Sequence, residues 1–341
     1  MRLGLVIPCF NEEQSLTLLY ERLCRTLPTI TDDFEVILID DGSSDGTLDV
    51  VRKIASTDAR FRYIALSRNF GKEAAMLAGL SQVDTDAVAI MDADLQHPPE
   101  LLSAMIDTLD QGHDQVVARR NRAGDAWFRT LLSTIFYRLI NRLVDVKLQD
   151  GVGDFRVLSR KAVQGLLALG EYNRFSKGLF AWIGFDTVVM DYENVARSDG
   201  ASKWTLRKLL DYGIDGVISF NNRPLRLAIY LGAVFTAVAF GYAIWVLVDA
   251  LVAGNPVPGY VTIMCGILGL GGLQLLFLGV IGEYLGRTYV EAKRRPHFLI
   301  KEASGPREVP VAVNFGPHGG NGTVPPELLA GGRRTPSGGG R

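Results

Sequence analysis

The sequence is poor in cysteine, in net charge and in glycine-rich phosphate loops. Only three cysteines occur in 341 residues, Cys9, Cys24 and Cys265. Their odd number and the lack of a Cys-x-x-Cys spacing argue against a disulfide framework and fit a reducing compartment. Lys and Arg number 36 against 37 Asp and Glu, a net charge of −1. Nothing in the bulk electrostatics therefore favours a nucleic-acid partner. A Walker loop, Gly-x-x-x-x-Gly-Lys-[Ser/Thr], is absent. So is a dinucleotide fingerprint, because residues 8–13 carry no glycine after the first apolar run. Leu3–Ile7 is too short for a signal peptide and is followed by Asn11-Glu12-Glu13, so the amino-terminal part is expected in the cytosol. Any phosphate must then be held by a metal and by Arg or Lys.

What is present is an alternation. Apolar runs at Leu3–Ile7, Glu35–Ile39, Phe61–Leu66, Ala87–Met91 and Gln115–Ala118 read as strands. Helical spacings fall between them, at 15–27, 47–55, 72–82 and 99–111. Pro8 is expected to end the first strand. This pattern implies βαβ units and a mostly parallel α/β sheet, whose ligands bind beyond the carboxyl ends of the strands. Polar clusters stand at four successive strand ends: Pro8-Cys9-Phe10-Asn11-Glu12, Asp40-Asp41, Ser67-Arg68-Asn69 and Asp92-Ala93-Asp94. Their convergence on one rim predicts a site.

The last cluster carries the most chemistry. In extended chain, residues i and i+2 point to the same side, which aims Asp92 and Asp94 at one place. Two adjacent carboxylates repel unless a positive charge lies between them. Oxygen-only ligands suit Mg²⁺ or Mn²⁺, which completes its shell with substrate phosphates. A solvated turn with an Asp helix cap is the plainer alternative.

Beyond residue 225 the character changes. Leu227–Val248 is 22 residues without a charge, about 33 Å of helix, enough for a bilayer core of about 30 Å. Tyr260–Gly282 is a second uncharged run. Arg223 and Arg226 precede the pair, Arg287 and Lys293-Arg294-Arg295 follow it, and the connection lacks Lys and Arg. The positive-inside rule then puts both termini in the cytosol, in a plasma-membrane protein with two spans. Trp127–Val144 and Trp204–Phe220 mix aromatic and aliphatic residues with arginine. The first reads equally as a surface helix or an interfacial one; the second is expected at the interface. The expected organisation is a catalytic domain over 1–222, a membrane hairpin over 223–284, a basic juxtamembrane segment over 285–303 and a disordered tail over 304–341. Gly282-x-x-x-Gly286 is a close-packing pattern and leaves a homo-oligomer open.

With these residues in view, the chain resembles the family 2 glycosyltransferases that load a sugar onto a polyisoprenyl phosphate. The resemblance lies in Ile7-Pro8-Cys9-Phe10-Asn11-Glu12-Glu13, Asp40–Thr47, Ser67–Lys72, Met91–Pro99, Gly153-Asp154-Phe155-Arg156, Arg197–Trp204 and Glu283–Arg287. It covers roughly residues 1–300. It implies a GT-A fold, a nucleotide-sugar donor, most often UDP-linked, and a polyisoprenyl (undecaprenyl) phosphate acceptor. It implies donor binding by Pro8, Asn11, Glu12, Asp41, Arg68, Lys72 and Asp92. It places a Mg²⁺ or Mn²⁺ ion at Asp92, Asp94 and Gln96, and phosphates at Arg119, Arg197 and Lys203. Asp154 stands beside the reacting centre, with Asp94 the other catalytic carboxylate.

The implied reaction is a single displacement with inversion, since nothing reads as a covalent nucleophile. The acceptor is a phosphate oxygen with a second pKa near 6, so Asp154 is as good a candidate for orienting groups as for a general base. Glucose is the first choice of sugar; N-acetylglucosamine, mannose and aminoarabinose-type sugars remain alternatives. A processive polysaccharide synthase would need more spans and a Gln-x-x-Arg-Trp motif, and a non-enzymatic nucleotide-sugar-binding membrane protein would not need Asp94 or Asp154.

Overall fold

The computed structural model describes residues 1–120, 151–192, 223–253 and 259–305. They fall into two compact units. The first runs β1 (Leu3–Cys9), α1 (Glu13–Thr26), β2 (Phe34–Asp40), α2 (Thr47–Thr57), β3 (Phe61–Leu66), α3 (Lys72–Gln82), β4 (Ala87–Ile90), α4 (Leu101–Asp110), β5 (Gln115–Arg120), β6 (Val152–Ser159), α5 (Arg160–Leu167), α6 (Ser176–Trp182) and β7 (Thr187–Tyr192). The second unit holds α7 (Arg223–Ala253) and α8 (Tyr260–Ala292), after which β8 (Ile300–Ala303) returns to the first.

The strands form one sheet in the order β7-β5-β6-β4-β1-β2-β3-β8. β4, β1, β2 and β3 are parallel, and β7 is parallel to β5. β6 lies antiparallel between β4 and β5, and β8 antiparallel on β3. This is the expected Rossmann-like, mostly parallel sheet of a GT-A fold. All seven residues of β2 are buried, as parallel strands covered by helices on both faces require. The core joins Leu5, Ile7, Val36 and Leu38 of the sheet to Leu16, Leu19 and Leu23 of α1 and Leu102 and Met105 of α4.

β1 does not stop at Pro8 as expected; it continues to Cys9. The carbonyl of Val6 accepts from the Met91 amide, so Val6 faces β4. Pro8, two residues on, points its nitrogen to that same side, past the end of β4. Its missing N–H therefore costs no ladder bond.

The segment after the long helices also differs from expectation. Residues 285–303 are not one juxtamembrane segment: α8 runs to Ala292 and Ile300–Ala303 is a sheet strand. Ser304, assigned to a disordered tail, exchanges bonds with Tyr63: its Oγ accepts from the Tyr63 amide (2.8 Å) and its amide donates to the Tyr63 carbonyl (2.9 Å). The rest of that tail, from 306, lies outside the described residues, as do the expected helices at 127–144 and 204–220.

Among the described residues one segment, Gly269–Ala292, is long and apolar enough to cross a membrane; in α7 the apolar stretch picked out is the shorter Tyr230–Tyr242. Both helices carry large apolar side chains in the open, including Phe240 (69% exposed), Leu251 (77%) and Leu275 (71%).

Candidate active site

Parallel strands end together, so the carboxyl ends of β1, β2, β3 and β4 share one rim. The antiparallel β6 brings its amino end to the same rim. Ile90 pairs with Arg156 and Ala89 with Val157, so continuing the register past β4 sets Asp92 opposite Asp154. At this rim lies a cleft of about 270 Å³ lined by Pro8, Cys9, Phe10, Glu12, Asp41, Asn69, Gly71, Lys72, Asp92, Ala93 and Asp94.

Each acidic side chain has its own support. Asp41 Oδ1 accepts from the Phe70 amide (2.8 Å) and Oδ2 from the Gly71 amide (2.9 Å), tying the β2 end to the loop before α3. Burial pushes its carboxyl upward, and the two amides work against that shift. The loops meet closely enough to demand glycine: Gly42 has φ +66, and a Cβ there would stand 2.4 Å from the Arg68 carbonyl carbon. Gly71 has φ +97, which lets its amide turn to Asp41. Glu12 Oε2 accepts from Ser15 Oγ at 2.7 Å, and the Glu12 amide donates to Thr47 Oγ1 at 2.8 Å.

The Asp92–Gln96 turn is held from inside. The Asp92 amide donates to His97 Nδ1 (3.2 Å), and the Gln96 amide to Asp94 Oδ1 (3.1 Å). Leu95 carries φ +63, a left-handed conformation that costs a β-carbon-bearing residue roughly 1–2 kcal/mol. The bonds on either side of it fix that strained turn, and with it the direction of the two carboxylates.

The centre of the site is a cation. Lys72 Nζ lies 2.6 Å from Asp92 Oδ1 and 2.6 Å from Asp154 Oδ2. Burial alone would raise the Asp154 carboxyl; the ammonium of Lys72 outweighs it and, with Lys177 and Arg156, holds it down at about 2. Burial likewise disfavours charge on Lys72, and Asp154 and Asp92 overcome it, so the ammonium stays protonated. Next in sequence, Glu73 is pushed up to about 7 by burial and by the charge of Asp154. Its carboxylate takes the Ser176 hydroxyl and amide at the start of α6. Buried Arg156 lies over the Phe180 ring (3.5 Å to the centroid) and donates to the Gly153 carbonyl at 2.9 Å.

Of the residues expected at the site, Pro8, Glu12, Asp41, Lys72, Asp92 and Asp94 line one cleft, and Asp154 joins them through Lys72. Asn11 instead staples two loops: its Oδ1 accepts from the Ser44 amide (2.9 Å) and its amide donates to Ser43 Oγ (3.0 Å). Arg68 lies over the Phe70 ring at 4.4 Å. Neither it nor Gln96 is among the lining residues. Arg119 is bound in a fork to Asp191 of β7 (2.5 and 2.8 Å). Arg197 and Lys203 lie outside the described residues. The sequence reading gave no role to Glu73, Ser176, Arg156 or His97, although Arg156 and His97 stand in the Gly153–Arg156 and Met91–Pro99 stretches and Glu73 in the apolar helix Lys-Glu-Ala-Ala-Met-Leu.

Among the described residues no three of His, Cys, Asp and Glu form a ready-made metal cage. A Mg²⁺ or Mn²⁺ ion commonly takes only one or two protein carboxylates and fills its shell with substrate phosphates. Asp92 and Asp94 offer those two carboxylates in one cleft, and Asp92 already attracts a positive group.

Comparison with known proteins is consistent along the chain. The family described as glycosyl transferase family 2 matches residues 5–167, and the GtrB C-terminal hairpin matches residues 223–288. CsbB of Bacillus subtilis (strain 168), provisionally named a glycosyltransferase, is 52% identical over 90% of this chain and 93% of its own. The SfII prophage-derived bactoprenol glucosyl transferase of Shigella flexneri is 38% identical over 89% of this chain and 98% of its own. The prophage bactoprenol glucosyl transferase homolog of Escherichia coli (strain K12) is 37% identical over 88% and 99%.

Proposed function

The chain belongs to the family 2 glycosyltransferases, and on that premise we propose that it transfers glucose from UDP-glucose to a polyisoprenyl phosphate, with inversion, at the cytosolic face of the membrane. The observation that carries the reading is the meeting of Glu12, Asp41, Asp92, Asp94 and Lys72 in one cleft. Relatives named bactoprenol glucosyl transferase support the choice of sugar and lipid.

Asp41 and Glu12 take the nucleoside end. Asp41 uses one lone pair of each oxygen on the Phe70 and Gly71 amides, leaving a second on each for a base N–H. Asp92 and Asp94 would hold a Mg²⁺ or Mn²⁺ ion, which when bound would offset the charge that gathers on the leaving diphosphate. Lys72 adds a fixed positive charge beside the same place. The nucleophile is a phosphate oxygen, already largely ionised at neutral pH. It therefore needs no strong base, and a carboxylate at about 2 is a weak one. Asp154 is best suited to holding Lys72, with Lys177 and Arg156 close by, where the two anionic substrates meet. Arg197 and Lys203 remain candidate phosphate ligands; Arg119 would have to leave Asp191 to serve.

α7 and α8 are proposed as a two-span hairpin with both ends cytosolic. Support comes from the hairpin match over 223–288 and from helices of 31 and 33 residues, each long enough at about 1.5 Å per residue to exceed a bilayer core of about 30 Å. Exposed apolar patches of this extent are foreign to a water-facing surface.

The test is incubation of the full chain in membranes with labelled UDP-glucose and undecaprenyl phosphate. Label entering the organic phase is expected. Label in an aqueous polymer would favour a synthase, no movement a binding protein, and transfer only from another nucleotide sugar would correct the donor.

A further inference from the structure

We propose that Lys72 is an internal counter-cation that competes with the divalent ion for Asp92, so that the site loads metal fully only when the donor's diphosphate arrives. This rests on the reading of Asp92 and Asp94 as metal ligands. It goes beyond that reading by giving Lys72 control over when they are free.

The geometry is specific. Lys72 is the first residue of α3, directly after Gly71. Its ammonium sits between Asp92 Oδ1 and Asp154 Oδ2, at 2.6 Å from each. Without that charge, the register of β4 and β6 would leave two carboxylates facing each other across the rim. An ammonium at 2.6 Å already occupies one oxygen of the Asp92 carboxylate, and a second cation at contact distance on the same carboxylate would be strongly repelled. A metal arriving alone would thus have to displace Lys72 from Asp92.

A diphosphate changes the balance. It brings new anionic oxygens into the cleft that Lys72 lines, so the ammonium can keep Asp154 and exchange Asp92 for phosphate. Asp92 is then released to the metal as the metal's phosphate ligands arrive. Metal and nucleotide binding are coupled through one side chain, and the coupling must be reciprocal.

The experiment measures Mn²⁺ binding to the full chain in detergent, without donor, by loss of the free-ion EPR signal, and repeats it with UDP. Replacing Lys72 by Met removes the competitor. Mn²⁺ affinity without UDP is expected to rise at least about tenfold, the order expected for losing a unit charge at contact distance from the ligand, and the enhancement by UDP to shrink. Lys72→Gln serves as a second, polar replacement, with thermal melts to verify folding. Lys177→Met is the control for general electrostatics, since Lys177 is a charged neighbour of Asp154 and Lys72; its effect is expected to be several-fold smaller. Unchanged or weaker Mn²⁺ binding in both Lys72 variants, or an equal rise in Lys177→Met, overturns the proposal. Failure of the metal reading itself looks different: no saturable Mn²⁺ binding to wild type or variants, with or without UDP.

Discussion

His97 stacks on Phe155, with ring centroids 4.9 Å apart and planes inclined by 15°. The histidine follows the Asp92–Gln96 turn, and the phenylalanine follows Asp154 on β6. The stack therefore joins the two segments that supply the carboxylates around Lys72. Because His97 Nδ1 accepts the Asp92 amide, the ring must be neutral, and burial pushes its pKa below the usual 6.5. The folded chain thus resists a proton that the unfolded chain accepts. This contribution to stability is present above about pH 6.5 and is lost as pH falls through the lower folded value. His97→Gln is expected to lower the melting temperature at pH 7.5 and to flatten its decline between pH 7 and 5, as read in parallel thermal scans.

Glu73 predicts the opposite sign. Its folded pKa, about 7 against an ordinary 4.5, means that the folded chain keeps a proton the unfolded chain gives up. Stability from this site is fully present below about pH 4.5 and is lost as pH rises through 7. At about 1.4 kcal/mol per unit, the penalty at pH 8 is on the order of 3 kcal/mol. Glu73→Gln mimics the protonated form. It is expected to melt several degrees higher than wild type at pH 8, with the gap closing toward pH 5. A gap that did not depend on pH would show that Glu73 is not the titrating group.

Asp94 is partly exposed and lines the cleft, where its Oδ1 accepts from the Gln96 amide. Asp94→Ala is therefore expected to leave the fold nearly unchanged while removing one of two metal-binding carboxylates. Losing several kcal/mol of transition-state charge stabilisation corresponds to roughly a thousandfold or more in kcat/KM. Transfer of labelled glucose to lipid, measured beside a thermal melt, separates the two effects; near-normal turnover would remove Asp94 from the chemistry.

How much of this was legible in the sequence follows from range. β1 to β5 are apolar runs bounded by turn residues, so local pattern suffices, and the carboxylates at their ends followed. β6 is not local: Val152–Ser159 alternates Asp154 and Arg156 with Phe155 and Val157, and finds its place only by inserting between β4 and β5. Without β6 beside β4, nothing links Lys72 to Asp154. The same gap hid the partner of Arg119, because Asp191 lies on β7, a strand left unread. β8 is four residues whose pairing with β3 is supported by Arg52 and Glu302, 250 positions apart. No periodicity reports such a contact.

The role of Asp154 is decided by how its loss divides between kcat and KM. If Asp154 were the general base, Asp154→Asn would remove a group that titrates near pH 2 in the free chain. The rate between pH 5 and 8 would collapse by a uniform factor, with donor affinity spared. If it positions Lys72, the same substitution frees the ammonium to pair with Asp92 alone. Donor KM should then rise together with the fall in kcat, because Lys72 also lines the donor cleft. In both cases the acidic limb of the profile should stay near pH 6, where the acceptor phosphate takes its second proton. The expected result is a rise in KM for UDP-glucose with that limb unmoved. A pure kcat loss with unchanged KM would return Asp154 to the role of base.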